Sequence, residues 1–169
     1  MTKQIKVGSV PVGGGAPVSV QSMCNTKTTD VEGSLAQLKA LYTAGCEIAR
    51  LTVPSLEAAE AFGKIAAQSP LPLVADIHFD YRCAIAAAEH GAAKIRINPG
   101  NIGGEERVKA VVDCCKAHHI PIRVGVNGGS LERNCSKSTD IPRLRRWWNR
   151  PSATSACWKS TASTIPACR

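Results

Sequence analysis

The chain has 169 residues, 44% of them hydrophobic, with 21 Lys/Arg against 13 Asp/Glu and a formal net charge of +8, which is enough for one domain with a sizeable core and too little for two. Such a charge would suggest an anionic partner such as nucleic acid, but residues 1–134 hold 14 Lys/Arg and 12 Asp/Glu, whereas residues 135–169 hold 7 Lys/Arg, Asp140 and all three tryptophans (Trp147, Trp148, Trp158). The opening MTKQIKVGSV has no apolar run and no membrane-length apolar span follows, so neither a signal peptide nor a membrane partner is expected and a cytoplasmic location is the default.

In chain order, the first predicted element is a β-hairpin in IKVGSVPVGGGAP (residues 5–17), where alternating residues turn at the glycines. Five apolar, β-branched runs follow: VSVQS (18–22), EIARLTV (47–53), LPLVADI (71–77), KIRIN (94–98) and PIRVGV (121–126). Short continuous runs of this kind are expected of parallel strands covered on both faces. Helical segments separate them. In VEGSLAQLKALYTAG, Leu35, Leu38 and Leu41 recur at helical spacing and Gly45 stands just past the end. SLEAAEAFGKIAAQ opens on Ser55 as an N-cap with Glu57 in the first turn. DYRCAIAAAEHG, closed by Gly91, and GEERVKAVVDCCKAHH complete the set.

Strands spaced by about 20–30 residues are βα units, because parallel strands need helical crossovers. Five strands and four helices precede Asn134. The expected fold class is α/β, either an open doubly wound sheet or the first part of an eight-fold barrel; a hairpin plugging the bottom of a barrel suits the second.

The eight cysteines are scattered and none is spaced C-x-x-C, which argues against a disulfide framework. Cys46, Cys83 and Cys114 lie among Ala, Val and Ile, as small buried hydrophobes do. His118 and His119 fall at a helix end, where they complement the dipole.

In parallel α/β folds the chemistry sits at the carboxyl ends of the strands. There the sequence places Asn25, Thr26, Thr28 and Thr29 after the first strand, Asp76 and His78 on the third, NPGNIGG after the fourth, and Asn127 after the fifth. Arg50, Arg96 and Arg123 stand inside otherwise apolar strands. Lone charges are costly to bury, so three of them suggest one shared anion, and guanidinium forks suit a phosphate or diphosphate. The NPGNIGG and VNGGS loops could add backbone N–H groups. The alternative is that each arginine is a structural partner of Asp76, Asp80 or a glutamate. His78 could be an acid, a metal ligand or a hydrogen-bond donor to ligand; no metal cage is evident around it.

The strings VPVGGGAPVSVQSMCNTKTTD, VADIHFDYR, RINPGNIG and RVGVNGGSLE, in this order over about residues 5–134, resemble the N-terminal barrel of the 4-hydroxy-3-methylbut-2-enyl diphosphate synthases. Cys24 departs from the Thr usual there. The resemblance implies an incomplete TIM-type (β/α)8 barrel of about five strands over 1–134 and an oxidoreductase of the non-mevalonate isoprenoid pathway. Its reaction is the reductive ring opening of 2-C-methyl-D-erythritol 2,4-cyclodiphosphate. It implies Arg50, His78, Arg96, Asn98, Arg123 and Asn127 as substrate contacts, ferredoxin or flavodoxin as electron donor, a homodimer, and a 4Fe–4S cluster held by a further domain whose ligands are absent from this chain. The chain alone is then expected to be inactive. Two rivals of other classes are a nucleic-acid-binding module with a basic, Trp-containing tail and another phosphate-binding barrel such as a pterin-binding synthase.

Residues 135–169 resemble nothing in that family, lack an apolar period, and are expected to be disordered. Trp147-Trp148-Asn149 must be encoded TGG TGG AAY, which one base upstream reads xTG GTG GAA and forces Val-Glu. CSKSTDIPRLRRWWNRPSA can be encoded so that this frame reads LLEKYGYPTPEALVESA, which resembles the family's continuation after GSLE. The segment is therefore read as out-of-frame translation after loss of one base beyond the Asn134 codon.

Overall fold

The computed structural model describes residues 3–125; Asn127, the VNGGS loop and the segment from residue 135 lie outside them. Strands β1 (Ile5–Val7) and β2 (Val10–Val12) pair antiparallel, Ile5 opposite Val12 and Val7 opposite Val10. This is the expected hairpin. Its turn uses Gly8 at φ +59°, where an added Cβ would also stand 2.7 Å from the Pro72 side chain.

Five parallel strands follow: β3 (Gln21–Met23), β4 (Ile48–Thr52), β5 (Leu73–Ile77), β6 (Lys94–Ile97) and β7 (Ile122–Val124). Between them run α1 (Val31–Thr43), α2 (Leu56–Ala66), α3 (Tyr81–Glu89), a short α4 (Pro99–Ile102) and α5 (Glu105–Ala117). The helix starts are chemically explicit. Asp30, Ser55 and Asp80 each accept a hydrogen bond from a first-turn amide, those of Gly33, Ala58 and Arg82, satisfying donors that the helix itself leaves unpaired. After α1 and α3 the chain turns through Gly45 at φ +87° and Gly91 at φ +91°, a conformation open to glycine at little cost.

The sheet order β3-β4-β5-β6-β7 puts every strand beside its successor in the chain. A doubly wound sheet would reverse direction at a switch point; this one does not, so the winding is that of a (β/α)8 barrel, of which the described residues form five strands. The pleat then sorts the residues. Ala49, Leu51, Leu73, Ala75, Ile77, Ile95, Ile97 and Ile122 join one apolar cluster with Leu38, Ala59, Phe62, Ile65, Ala84, Val111 and Val112 from the helices. The opposite, inner face carries Ile48 and Val74 at its foot, where Val7 of the hairpin packs on them and is wholly buried. The hairpin thus closes the bottom of the inner face, as expected.

Four details differ from the sequence reading. The first strand starts at Gln21 rather than at residue 18, because Val18 and Val20 are 96% and 56% exposed and have no apolar surface to cover. The NPGNIGG segment is not an open loop: Pro99–Ile102 forms a helical turn capped by Asn98. Of Cys114 and Cys115, the core residue is Cys115 and Cys114 is only half-buried, since neighbours on a helix point about 100° apart. His119 is left-handed at φ +56°, a turn conformation beyond the helix end.

Removing the Phe62 ring, which is wholly buried between α2 and the sheet, should cost about 3–5 kcal/mol. Urea unfolding of Phe62→Ala should show it, whereas Val18→Ala should lie within about 0.5 kcal/mol of the parent.

Candidate functional site

Register places the charged residues together. Thr52, Asp76, Arg96 and Arg123 lie side by side across β4 to β7, and Arg50 sits two residues before Thr52, on the same inner face. Asp76, on the fully buried strand β5, is 3% exposed. One of its oxygens accepts from Arg96 Nη1 at 2.9 Å and the other lies 3.5 Å from Arg50 Nε. Two guanidiniums thus meet one carboxylate, and both are half-sheltered, with side chains 26% and 15% exposed for Arg50 and Arg96.

The two contacts are unequal. Arg96–Asp76 is a charge-assisted hydrogen bond. Arg50–Asp76 is within ion-pair range, yet Arg50 Nε is buried and makes no hydrogen bond; the 3.5 Å separation supplies charge attraction without directional bonding. Arg50 Nη2 reaches the Met23 thioether at 3.0 Å, a weak acceptor. A buried N–H left in this state costs about 1–3 kcal/mol, a cost that an anion bound at that point would remove.

Arg50 and Arg96 therefore converge, but on Asp76. Arg123 stands next to Arg96 in register, is exposed, and forms no ion pair among the described residues. It was expected to be a buried charge. It is not: Arg123 is the exposed residue of β7. Asp80 is no partner for these arginines. It caps α3 and holds Arg82 at 2.7 Å, and that hydrogen bond keeps its carboxyl below the ordinary aspartate range.

His78 directly follows β5 and is half-buried, its ring 6.2 Å from that of Phe79. Asn98 directly follows β6, is 2% exposed, and accepts from the Gly100 amide at 3.2 Å. The amides of Asn101 and Ile102 donate to the Asn98 carbonyl. Three N–H groups expected to face an anion are thus spent on the α4 turn. The loop before α1 is likewise tied to its own scaffold: Asn25 exchanges two hydrogen bonds with Gln37, Thr26 meets Ser34, and Thr28 donates to the Thr52 carbonyl. These residues shape the mouth of the inner face rather than presenting free polar groups. Asn127 lies outside the described residues.

The sequence reading treated Asp76 only as a possible ion-pair partner and neighbour of His78; its place as the shared acceptor follows from register, which one sequence does not display. Lys94, also on the inner face and 5% exposed, was passed over too. An Ile-Arg-Ile alternation, in which Lys94 and Arg96 share a face, is the signal that could have found it.

Four of the described thiols are pushed towards the protonated form. Burial pushes Cys115 up to about 12 and raises Cys24, Cys83 and Cys114 as well, which disfavours the thiolate needed for attack or ligation. No group of three or more His, Cys, Asp or Glu able to hold a metal exists among the described residues. No helix among them is long and apolar enough to cross a membrane.

Residues 2–157 match the family model described as the GcpE TIM-barrel domain. The chain is 58% identical over 139 residues to the 4-hydroxy-3-methylbut-2-en-1-yl diphosphate synthase (flavodoxin) of Yersinia enterocolitica, covering 82% of this chain and 37% of that one. Proteins of the same name from Mannheimia succiniciproducens and Psychromonas ingrahamii are 59% and 60% identical over 139 and 132 residues, which cover 82% and 78% of this chain and 38% and 36% of theirs. The chain thus spans well under half the length of these curated relatives. Among solved structures, a mandelate oxidase superposes with a TM-score of 0.49 at 19% identity, over 68% of this chain and 43% of that one.

Replacing Asp76 by Ala leaves two guanidiniums facing each other without their shared carboxylate. The expected loss is about 2 kcal/mol or more in urea unfolding, less than the ~3–5 kcal/mol of a fully buried pair because both arginines keep some solvent. Arg50→Ala should cost less than Arg96→Ala.

The Cys115 thiol has a folded value raised above the ordinary 9.0, so the unfolded chain loses its proton first as pH rises. Its stabilisation is intact below pH 9.0 and falls between there and about 12. Cys115→Ala should unfold less steeply with pH across that window than the parent does, as followed by circular dichroism.

Proposed function

The chain belongs to the GcpE TIM-barrel domain family, and on that premise we propose that its inner strand face is the diphosphate-holding wall of a 4-hydroxy-3-methylbut-2-enyl diphosphate synthase. The substrate on this reading is 2-C-methyl-D-erythritol 2,4-cyclodiphosphate. The observation that carries it is the imbalance at Asp76: one carboxylate serves two guanidiniums, and Arg50 keeps a buried N–H without an acceptor. A purely structural ion pair has no need of the second cation. A diphosphate does, because it brings several charges and oxygens that planar forks can match.

On this reading Arg50 and Arg96 hold the diphosphate from the strand face, Arg123 adds charge at its exposed side, His78 and Asn98 meet the ligand at the carboxyl ends of their strands, and Asn127 is a further contact. Opening the ring breaks a C–O bond and leaves negative charge on a phosphate oxygen. The guanidiniums stabilise that charge where it grows. The reaction consumes two electrons and eliminates water, and the family's 4Fe–4S cluster is the source of those electrons. Residues 3–125 do not fit such a cluster: no three possible ligands meet among them, and burial pushes Cys24, Cys83, Cys114 and Cys115 towards the protonated form. Flavodoxin, named for the relatives, or ferredoxin is the donor to the whole enzyme, which is a homodimer.

We read residues 1–134 as the substrate-binding portion and residues 135–169 as an out-of-frame tail, although the family match itself runs on to residue 157. The jump in charge at residue 135, the three tryptophans beyond it, and the alternate-frame reading support this.

One experiment joins these points. Inserting one base after the Asn134 codon should restore a continuation into helix, sixth strand and, further on, a C-x-x-C domain. In that repaired chain, Arg50→Ala, Arg96→Ala and Arg123→Ala should each weaken cyclic-diphosphate binding by about 1.5–3 kcal/mol by calorimetry. The 169-residue chain itself should show no reductive turnover. Turnover by that chain with an iron–sulfur absorption band, a repaired frame that meets an early stop codon, or unchanged affinity in all three variants would overturn the proposal.

A further inference from the structure

Gly125 follows β7 directly and its amide donates to the Ile97 carbonyl at 2.9 Å, which pins its backbone to the end of β6. It is not among the glycines with positive φ, so its backbone does not call for glycine. The space around it does. An ideal Cβ at Gly125 would stand 2.7 Å from Arg96 Nε, 2.8 Å from Nη2 and 3.1 Å from Cζ. Gly125 lies two residues beyond Arg123, hence on the same inner face, and Arg123 is the register neighbour of Arg96.

We propose that Gly125 is a positioning residue for the diphosphate site: its missing Cβ makes the room in which Asp76 holds the Arg96 guanidinium. This rests on the reading of Arg96 as a diphosphate contact. Two surfaces fix the fork. Asp76 Oδ1 takes Nη1 at 2.9 Å, and the bare Cα of Gly125 lies against the Nε and Nη2 side. The three atoms nearest to a methyl group at residue 125 would all belong to the far end of a flexible side chain, so the clash is relieved by swinging the guanidinium away, not by moving backbone. The relief displaces the very group that contacts the ligand and breaks its bond to Asp76. The damage therefore falls on recognition more than on folding, unlike that of an ordinary core overpacking.

Gly104 supplies the control, since a Cβ there meets nothing within 4 Å and its φ is −64°. In the frame-repaired chain, Gly125→Ala should weaken binding of the cyclic diphosphate about tenfold, one step of ~1.4 kcal/mol, and Gly104→Ala should not. In an Arg96→Ala background, Gly125→Ala should add no further loss, because the displaced group is already gone. As a measurement that needs no ligand, the Arg96 Nε–H resonance, assigned by its disappearance in Arg96→Lys, should shift in Gly125→Ala and stay put in Gly104→Ala. If Arg96→Ala weakens binding while Gly125→Ala does not, or if the two losses add in full, Gly125 has no positioning role. If Arg96→Ala itself leaves binding unchanged, the diphosphate reading fails first, and the resonance still decides whether Gly125 sets the guanidinium's place.

Discussion

A parallel strand must point alternate side chains to opposite faces, and this domain is organised by how its sequence uses that alternation. One set, Ala49, Leu51, Leu73, Ala75, Ile77, Ile95, Ile97 and Ile122, is apolar throughout and welds the sheet to its helices. The other begins with Ile48 and Val74 under the hairpin and turns to Arg50, Asp76 and Arg96 further along. A slip of one residue in β4, β5, β6 or β7 would drive a charge into the helix layer, so the buried layer fixes the register and the register fixes the site.

The polar face then organises itself around a single carboxylate. Asp76 comes from a strand on which every residue is buried, and its contacts with Arg50 and Arg96 offset the cost of placing a polar group there. In turn it orients them. Long, flexible arginines carry much rotamer freedom, and holding two of them at one point before a ligand arrives removes part of the ordering cost from binding. The surrounding loops follow the same logic at smaller scale: Asn25 with Gln37, Thr28 with the Thr52 carbonyl, and Asn98 with the α4 amides are fastened to the scaffold before any ligand is considered.

Much of the fold was legible in the sequence, because its signals were local. The glycines past α1 and α3, Ser55 as a cap and Leu38 at helical spacing are read residue by residue. The hairpin was visible from its glycines, and its place under the inner face agreed with the layout expected of a barrel. The choice between open sheet and barrel needed the strand order, which no local pattern contains. Within the site, the charged residues themselves stood out as breaks in apolar runs. Their relations did not. That Asp76 lies between Arg50 and Arg96 depends on inter-strand register, and the half-buried state of Cys114 on helix phase. Amides that looked free in NPGNIGG were claimed by Asn98 through a short-range turn that composition alone does not reveal.

The hairpin floor has a consequence for traffic. With Val7, Ile48 and Val74 covering one end of the inner face, the arginine cluster cannot be approached from that end. Traffic to Arg50 and Arg96 is confined to the end marked by His78 and Asn98 and to the exposed side at Arg123.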